Sequence, residues 1–180
     1  MDRGSAVKSS NSVYLYFRYF FMLLNAHGTS KGKIGVFIEE HFDMTEYRLF
    51  NKRLPAEGFD LEYISNLWGN STLQFGSNPD NGWVEEHLIV AKDVKDVVPS
   101  EYSGFLIIGA YATDRLRYTV KPAKGKANDA PAVELLRKIM ATPGVKVGTI
   151  CHSLWLLCAD RSLLEGKKVT CAHNIICDVE

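Results

Sequence analysis

The chain has 180 residues, of which 46% are hydrophobic, so it is long enough to bury one sizeable core as a single domain. Its 21 basic and 21 acidic residues cancel, and no basic run with interleaved aromatic residues occurs. This balance excludes the broad positive field that attracts nucleic acid or an anionic membrane, and we expect neither as a partner.

The first 30 residues differ from the rest, and we predict an extension (residues 1–30) followed by the domain (residues 31–180). Val13–Leu24 is strongly apolar, but Arg18 interrupts it, and it is shorter than the about 20 apolar residues that span a bilayer. The extension is interpreted as a signal peptide, as a segment that packs on the domain, or as the result of a start codon placed too far upstream.

Strands and helices alternate through the domain. Ile34–Ile38 predicts a buried strand, and Met44–Glu57 predicts a helix that ends at Gly58. Leu61–Ile64 predicts a second strand. The Gly- and Asn-rich run from Trp68 to Trp83 predicts a long loop.

The second half of the chain continues the alternation. The predicted elements are strands at Leu88–Val90 and Gly104–Gly109, a basic loop at Lys121–Asn128, a helix at Ala130–Met140, and a last strand that starts at Lys168–Cys171. This pattern predicts an α/β fold, a three-layer αβα sandwich whose open, mainly parallel sheet is flavodoxin-like. Functional sites in such sheets lie at the carboxyl ends of the strands.

Cys151 lies where the predicted strand Val145–Ile150 turns directly into a helix, as in a nucleophile elbow. A side chain at such a turn projects above the sheet edge, and the helix N-terminus directs free N–H groups and a positive dipole towards it. His152 can add a positive charge, and both effects favour a thiolate. The alternative is an inert core cysteine, since cysteine is among the most buried residue types. Its position and its small flanking residues favour a nucleophile.

Four segments together resemble the PfpI-type superfamily, which is related to class I glutamine amidotransferases and includes intracellular cysteine proteases and the parkinsonism-associated deglycase. They are VFIEEHFDMTE (Val36–Glu46), FLIIGAYATDRLR (Phe105–Arg117), VGTICHSLWLL (Val147–Leu157) and LLEGKKVTCAH (Leu163–His173). The resemblance covers about Lys33 to Glu180. It also implies that the C-terminal strand and helix of the family are lacking.

The resemblance implies roles for five side chains. Cys151 matches the nucleophile, and Glu46 matches the carboxyl group that tunes the thiol. His152 matches the histidine that follows the nucleophile in the protease-like branch, and Asp114 matches the carboxylate that orients it, in some members across a subunit contact. His173 matches a histidine near the thiol in the deglycase branch. His152 and His173 remain alternative bases.

The resemblance further implies that the backbone N–H groups of Ala110 and His152 bind an oxyanion. The family commonly has Pro-Gly-Gly where this chain has Ile108-Gly109-Ala110, and alanine allows less freedom of backbone angle than glycine. Asp114 is shorter than the glutamate that the family often has at its position.

These residues predict a cysteine-dependent hydrolase or lyase of the PfpI type that acts on a small carbonyl or peptide substrate. Peptidase, amidase, deglycase and glyoxalase chemistry remain open, whereas the later His-x-Glu pair of glutamine amidotransferases is absent. The alternative is a non-enzymatic redox-sensing or chaperone-like protein in which Cys151 is oxidised to a sulfinic acid. We expect a homodimer or larger homo-oligomer.

The cysteines and the other candidate ligands predict no metal and no cofactor. The clusters Glu39–His41 and Cys171–Cys177 lack the paired spacing of a structural zinc site. The four cysteines all fall in the last part of the chain, within predicted strands and helices, which favours reduced thiols and a cytoplasmic location. Cys158 and Cys177 are assigned to the core.

Overall fold

The computed structural model describes residues 30–79, 85–119 and 126–179. The strands, in chain order, are β1 (Lys33–Phe37), β2 (Asp60–Ser65), β3 (Leu73–Gly76), β4 (His87–Val90), β5 (Lys92–Asp93), β6 (Gly104–Ile107) and β7 (Lys146–Thr149). Five of them form one sheet in the order β5-β2-β1-β6-β7, and every neighbouring pair in it is parallel. The carboxyl ends of these strands therefore meet along one edge.

Within the described residues, four α-helices and several 3-10 turns accompany the strands. The α-helices are α1 (Met44–Ala56), α2 (Ala112–Leu116), α3 (Pro131–Ala141) and α4 (Ile176–Val179), and the 3-10 elements are Val94–Asp96, Pro99–Glu101, Cys151–Ala159, Arg161–Leu163 and His173–Ile175. In these described parts of the chain, no helix is both long and apolar enough to cross a bilayer.

The sheet is covered on both faces, because successive residues of a strand point to opposite sides. Phe37 and Ile107 belong to one core, which also holds the apolar side chains of α3 and of the 3-10 helix Cys151–Ala159. Val36 and Ile108 belong to a second core, which α1 and strands β3 and β4 cover. The predicted three-layer α/β fold is therefore confirmed.

Local signals set the ends of α1 as the sequence predicts. The Asp43 carboxylate accepts a hydrogen bond from the Glu46 backbone N–H at 2.8 Å, which caps the first turn. Gly58 follows the helix with φ of 88°, a left-handed conformation that glycine adopts without strain. The cap places Glu46 in the first turn, at the carboxyl edge of the sheet.

The prediction of a loop from Trp68 to Trp83 is partly wrong, because this stretch contains strand β3. Strand β3 pairs with β4 as an antiparallel hairpin that is separate from the main sheet. Phe75 is 2% exposed and anchors the hairpin on the second core, whereas Gln74 points outwards. Trp83 lies outside the described residues.

The predicted strand at Lys168–Cys171 is also wrong. These residues form no strand, and Val169 is 43% exposed, because no sheet partner covers the segment. Cys177 is exposed rather than part of the core. The predicted extension and most of the predicted 121–128 loop lie outside the described residues, as does Glu180.

Candidate active site

Cys151 occupies a strained turn directly after β7. Its φ is 57°, a left-handed value that costs a non-glycine residue about 1–2 kcal/mol. The turn is held by Ser153, which is fully buried and whose hydroxyl accepts a hydrogen bond from the Ile150 N–H at 2.6 Å. The Cys151 side chain is exposed. The predicted strand-to-helix elbow is present, and it presents the sulfur to solvent.

The element that follows Cys151 is a 3-10 helix rather than the α-helix that the sequence suggests. The Ser153 N–H donates to the Ile150 carbonyl at 3.0 Å, so the first turn closes over three residues. Such a turn leaves the N–H groups at its start without intrahelical acceptors, as an α-helix does. The sulfur therefore still lies at a helix N-terminus.

His152 lies between the thiol and α2. Its Nδ1 is 3.3 Å from Cys151 Sγ, within hydrogen-bond distance. The imidazole stacks on the Tyr111 ring, with the centroids 6.1 Å apart and the planes at 28°. Nε2 is buried and has no hydrogen-bond partner among the described residues. Tyr111 is a site residue that sequence reasoning missed, because a tyrosine at a helix start gives no signal of its own.

Asp114 lies near His152 but is not hydrogen-bonded to it. Burial raises the pKa of the Asp114 carboxyl, and the charges of Arg117 and His152 oppose that rise. The two side chains therefore interact through space. The imidazole Nε2 is left without a hydrogen-bond partner among the described residues.

Glu46 and Cys151 border the same small space beside Gly109. A Cβ atom built on Gly109 would lie 2.7 Å from Glu46 Oε1 and 2.9 Å from Cys151 Cβ. Glu46 Oε2 accepts a hydrogen bond from the Gly109 N–H at 2.6 Å. The structure thus brings together the predicted carboxyl group and the predicted nucleophile, which are more than 100 positions apart in the chain.

The Glu46 carboxyl titrates near neutral pH. Its side chain is 8% exposed, and burial raises its pKa from 4.5 to about 7. The Gly109 hydrogen bond opposes this rise, while the charge of Asp43 adds to it. At pH 7 the group is therefore present both as a carboxylic acid, which can donate a proton, and as a carboxylate, which can accept one.

This pKa predicts that Glu46→Gln stabilises the protein only at higher pH. The carboxyl binds a proton more tightly in the folded state, so the wild-type free energy of unfolding falls as the pH rises from about 4.5 to about 7. Urea denaturation at pH 5 and pH 8 should give a larger advantage of the variant at pH 8. Glu57→Gln, at the exposed end of α1, should show no such difference. Parallel pH curves for wild type and Glu46→Gln would contradict the prediction.

Two backbone amides stand beside the sulfur. Ala110 has a φ of 55°, a left-handed conformation that glycine adopts more readily than alanine. Neither the Ala110 N–H nor the His152 N–H donates a hydrogen bond to another group of the described chain. The predicted oxyanion-binding amides are therefore both without an acceptor in the described chain, and their role remains a prediction.

His173 is placed at the edge of the elbow. It starts the 3-10 turn His173–Ile175 and is exposed, and within the described residues it makes no hydrogen bond to the thiol. The Ala172 N–H donates to the Cys151 carbonyl at 3.3 Å, which brings this segment to the turn. Among the described residues, no group of three or more His, Cys, Asp or Glu side chains is arranged so that it could hold a metal ion. A cavity of about 460 Å³ lies elsewhere, beside Cys158 and Asp178.

Solved structures with the same fold identify the architecture. The structure matches a two-domain protein of Anabaena variabilis with DJ-1/ThiJ/PfpI-like and ferritin-like domains (TM-score 0.67, 20% identity), covering 83% of this chain and 37% of that one. It also matches a ThiJ/PfpI domain protein of Brachyspira murdochii (0.61, 15% identity, 84% and 76% covered) and oxidized Toxoplasma gondii DJ-1 (0.56, 17% identity, 82% and 70% covered).

The sequence itself matches a family profile over most of its length. No curated protein matches the chain significantly. The profile of the DJ-1/PfpI family matches residues 32–180, which include the elbow, Glu46 and Asp114. The chain therefore belongs to the DJ-1/PfpI family.

Proposed function

We propose that the protein is a cysteine-dependent hydrolase or lyase that forms a covalent adduct between Cys151 and an electrophilic carbonyl carbon. The observation that carries this proposal is the placement of an exposed thiol at a strained elbow, next to an imidazole nitrogen at 3.3 Å and the buried Glu46 carboxyl. Strained backbone at an accessible nucleophile is typical of a site in which geometry is held for chemistry.

His152 is positioned to take the thiol proton. The Cys151 sulfur then forms a bond to the carbonyl carbon, and the carbonyl π electrons move to oxygen, where the Ala110 and His152 amides stabilise the negative charge. With an amide substrate, collapse of this adduct breaks the carbon–nitrogen bond, and the leaving amine takes a proton from the carboxylic acid form of Glu46, which later regains one from the attacking water. Water then hydrolyses the thioester and restores the thiol. With an aldehyde, the same addition gives a hemithioacetal.

Glu46 is suited to a second proton transfer. Because its pKa is about 7, it exchanges a proton at neutral pH without an added strong acid or base. His152 has one nitrogen at the thiol and the other buried, which limits its contact with the leaving group. We therefore assign proton removal from the thiol to His152 and later proton exchange with the substrate to Glu46.

One observation favours a second candidate, a redox sensor. Cys151 is exposed, and the protonated form of Glu46 can donate a hydrogen bond to an oxygen bound to sulfur. Oxidation to a sulfinate needs two molecules of hydrogen peroxide, each of which transfers one oxygen atom to sulfur and leaves as water. Of the neighbours, the Toxoplasma gondii DJ-1 structure is described as oxidized.

The two candidates are separated by assaying the wild-type protein in two ways. Consumption of methylglyoxal and release of amine from peptide amides are measured, and intact mass is recorded after limited peroxide treatment. Catalytic turnover of either substrate, in excess over the protein, supports the hydrolase or lyase. If neither substrate turns over while Cys151 gains two oxygen atoms, the enzyme proposal is overturned and the sensor is supported. Absence of both results removes both candidates.

A further inference from the structure

A buried carboxylate holds an exposed guanidinium at the same sheet edge as the thiol. Glu39 follows β1 and is 1% exposed, and its Oε2 accepts a hydrogen bond from the Glu40 N–H at 2.6 Å. Its Oε1 lies 3.1 Å from Arg115 Nη1, an ion pair without hydrogen-bond alignment, and has no hydrogen-bond partner in the described residues. A buried carboxylate of this kind requires a cation, and it fixes where the Arg115 guanidinium lies.

An aromatic side chain flanks the same guanidinium. The Arg115 guanidinium carbon is 5.9 Å from the centre of the Trp68 ring, and the Trp68 and Tyr118 rings are 5.8 Å apart. Trp68 has φ of 53° and is 37% exposed, so a bulky residue is held in a strained backbone conformation with its ring partly in solvent. Trp68, Arg115 and Tyr118 form what we call the arginine wall.

The arginine wall stands beside the reacting sulfur. Arg115 lies on α2, whose N-cap Tyr111 stacks on His152. Its anchor Glu39 follows β1, which is separated from β7 and Cys151 by β6 alone. Since neighbouring strands are about 4.8 Å apart, the ends of β1 and β7, which lead into Glu39 and Cys151, are separated by roughly 10 Å. A substrate that is several bonds long can span this separation, from Cys151 to the guanidinium that Glu39 holds.

We propose that Arg115 binds a carboxylate of the substrate whose electrophilic carbon reacts at Cys151. The inference rests on the proposed function, and it names the substrate class as acids that carry a carboxylate several bonds from the reactive carbon. The Arg115 side chain is 57% exposed, so the guanidinium donors that do not face Glu39 are open to a ligand. Glu39 and Trp68 hold the planar group in place, which lowers the entropic cost of binding a carboxylate.

The test compares two maleimides that react with Cys151 and differ in charge. In both, sulfur adds to the carbon–carbon double bond and the neighbouring carbon takes a proton from water. N-ethylmaleimide is neutral, whereas 3-maleimidopropionate carries a carboxylate at the end of a short chain. Rate constants for labelling of Cys151 are measured by peptide mass spectrometry in the wild type, Arg115→Gln and Arg53→Gln. Arg53→Gln removes the same charge from the far end of α1.

The ratio of the two rate constants, acid over neutral reagent, is expected to fall about tenfold in Arg115→Gln, as for loss of one charge-assisted hydrogen bond. Arg53→Gln should leave the ratio unchanged. Arg115→Gln leaves the buried Glu39 carboxylate without its cationic partner. The double variant Glu39→Gln/Arg115→Gln is therefore measured too, and its ratio should fall by the same factor. An unchanged ratio in both Arg115 variants overturns the proposal.

The labelling ratio is independent of turnover, so the two proposals fail separately. If the ratio depends on Arg115 but no carbonyl substrate is turned over, the carboxylate site stands and the enzyme proposal falls. If turnover occurs while the labelling ratio is the same with and without Arg115, only the proposed carboxylate site is overturned. A supporting result also requires that the wild-type preference weakens at 1 M salt, because screening reduces the attraction between exposed charges.

Discussion

Cys151→Ser is expected to lower turnover of carbonyl substrates by at least roughly a thousandfold. A serine hydroxyl is a much weaker nucleophile than a thiolate at neutral pH unless a strong base activates it. The measurement is the initial rate of methylglyoxal consumption and of amide hydrolysis at equal protein concentration.

Stability and a second thiol provide the controls for this variant. Cys151 is exposed, so the free energy of unfolding of Cys151→Ser should lie within about 0.5 kcal/mol of the wild type. Cys177 is also an exposed free thiol, and Cys177→Ser should retain full activity. Retention of wild-type rates in Cys151→Ser would eliminate the covalent mechanism, and an equal loss in both variants would point to a general effect of thiol removal.

The main architecture could be predicted because its signals are local. The short β-branched strands, the glycine after α1 and the proline at the start of α3 each act within a few residues. The elbow could be predicted for the same reason, since β7 runs directly into Cys151 without a spacer. The positive φ at Cys151 follows from this sharp change of direction.

The elements that sequence reasoning misjudged depend on distant partners. Strand β3 contains only Leu73 and Phe75 as apolar residues, and its pairing with β4 rests on residues in a later part of the chain. In contrast, the segment from Lys168 to Cys171 has a plausible strand composition but finds no neighbouring strand. Strand propensity describes how well a residue fits a half-buried sheet, so it cannot decide whether such a sheet position exists.

In the candidate site too, contacts between adjacent residues could be predicted from the sequence, whereas contacts between distant residues could not. Cys151 and His152 are adjacent in the chain, and their contact follows from the elbow. The ion pair between Glu39 and Arg115 joins residues 76 positions apart, so the sequence did not indicate it and assigned Glu39 to a possible metal-ligand cluster, Glu39–His41. Similarly, nothing local in the sequence indicates that Gly109 separates a carboxyl group from the nucleophile.

Gly109→Ala is expected to damage both the stability and the reactivity of the site. The added Cβ would lie 2.7 and 2.9 Å from the two Glu46 oxygens and 2.9 Å from Cys151 Cβ, all closer than normal contact. Glu46 cannot swing away freely, because its Oε2 is bonded to the N–H of this same residue and its side chain is 8% exposed. We expect a loss of about 1–3 kcal/mol in the free energy of unfolding, the usual cost of overpacking.

Gly144→Ala separates this contact from a general effect of replacing glycine. Gly144 has φ of 83° and open space around its Cα, so alanine there costs roughly 1 kcal/mol through backbone strain alone. Both variants should lose stability in urea titrations, but only Gly109→Ala should slow the labelling of Cys151 by N-ethylmaleimide. Equal labelling rates in the two variants would show that the space beside Gly109 is not coupled to the thiol.

A double-mutant cycle identifies which neighbour resists the new methyl group. Glu46→Ala removes two of the three close contacts, at the expense of the hydrogen bond to the Gly109 N–H. If Glu46 is the obstacle, the stability lost in Gly109→Ala/Glu46→Ala should be smaller than the sum of the two single losses, by more than about 0.5 kcal/mol. Strict additivity would mean that the methyl group displaces Cys151 instead. In that case the labelling rate should remain low in the double variant, because the sulfur itself has moved.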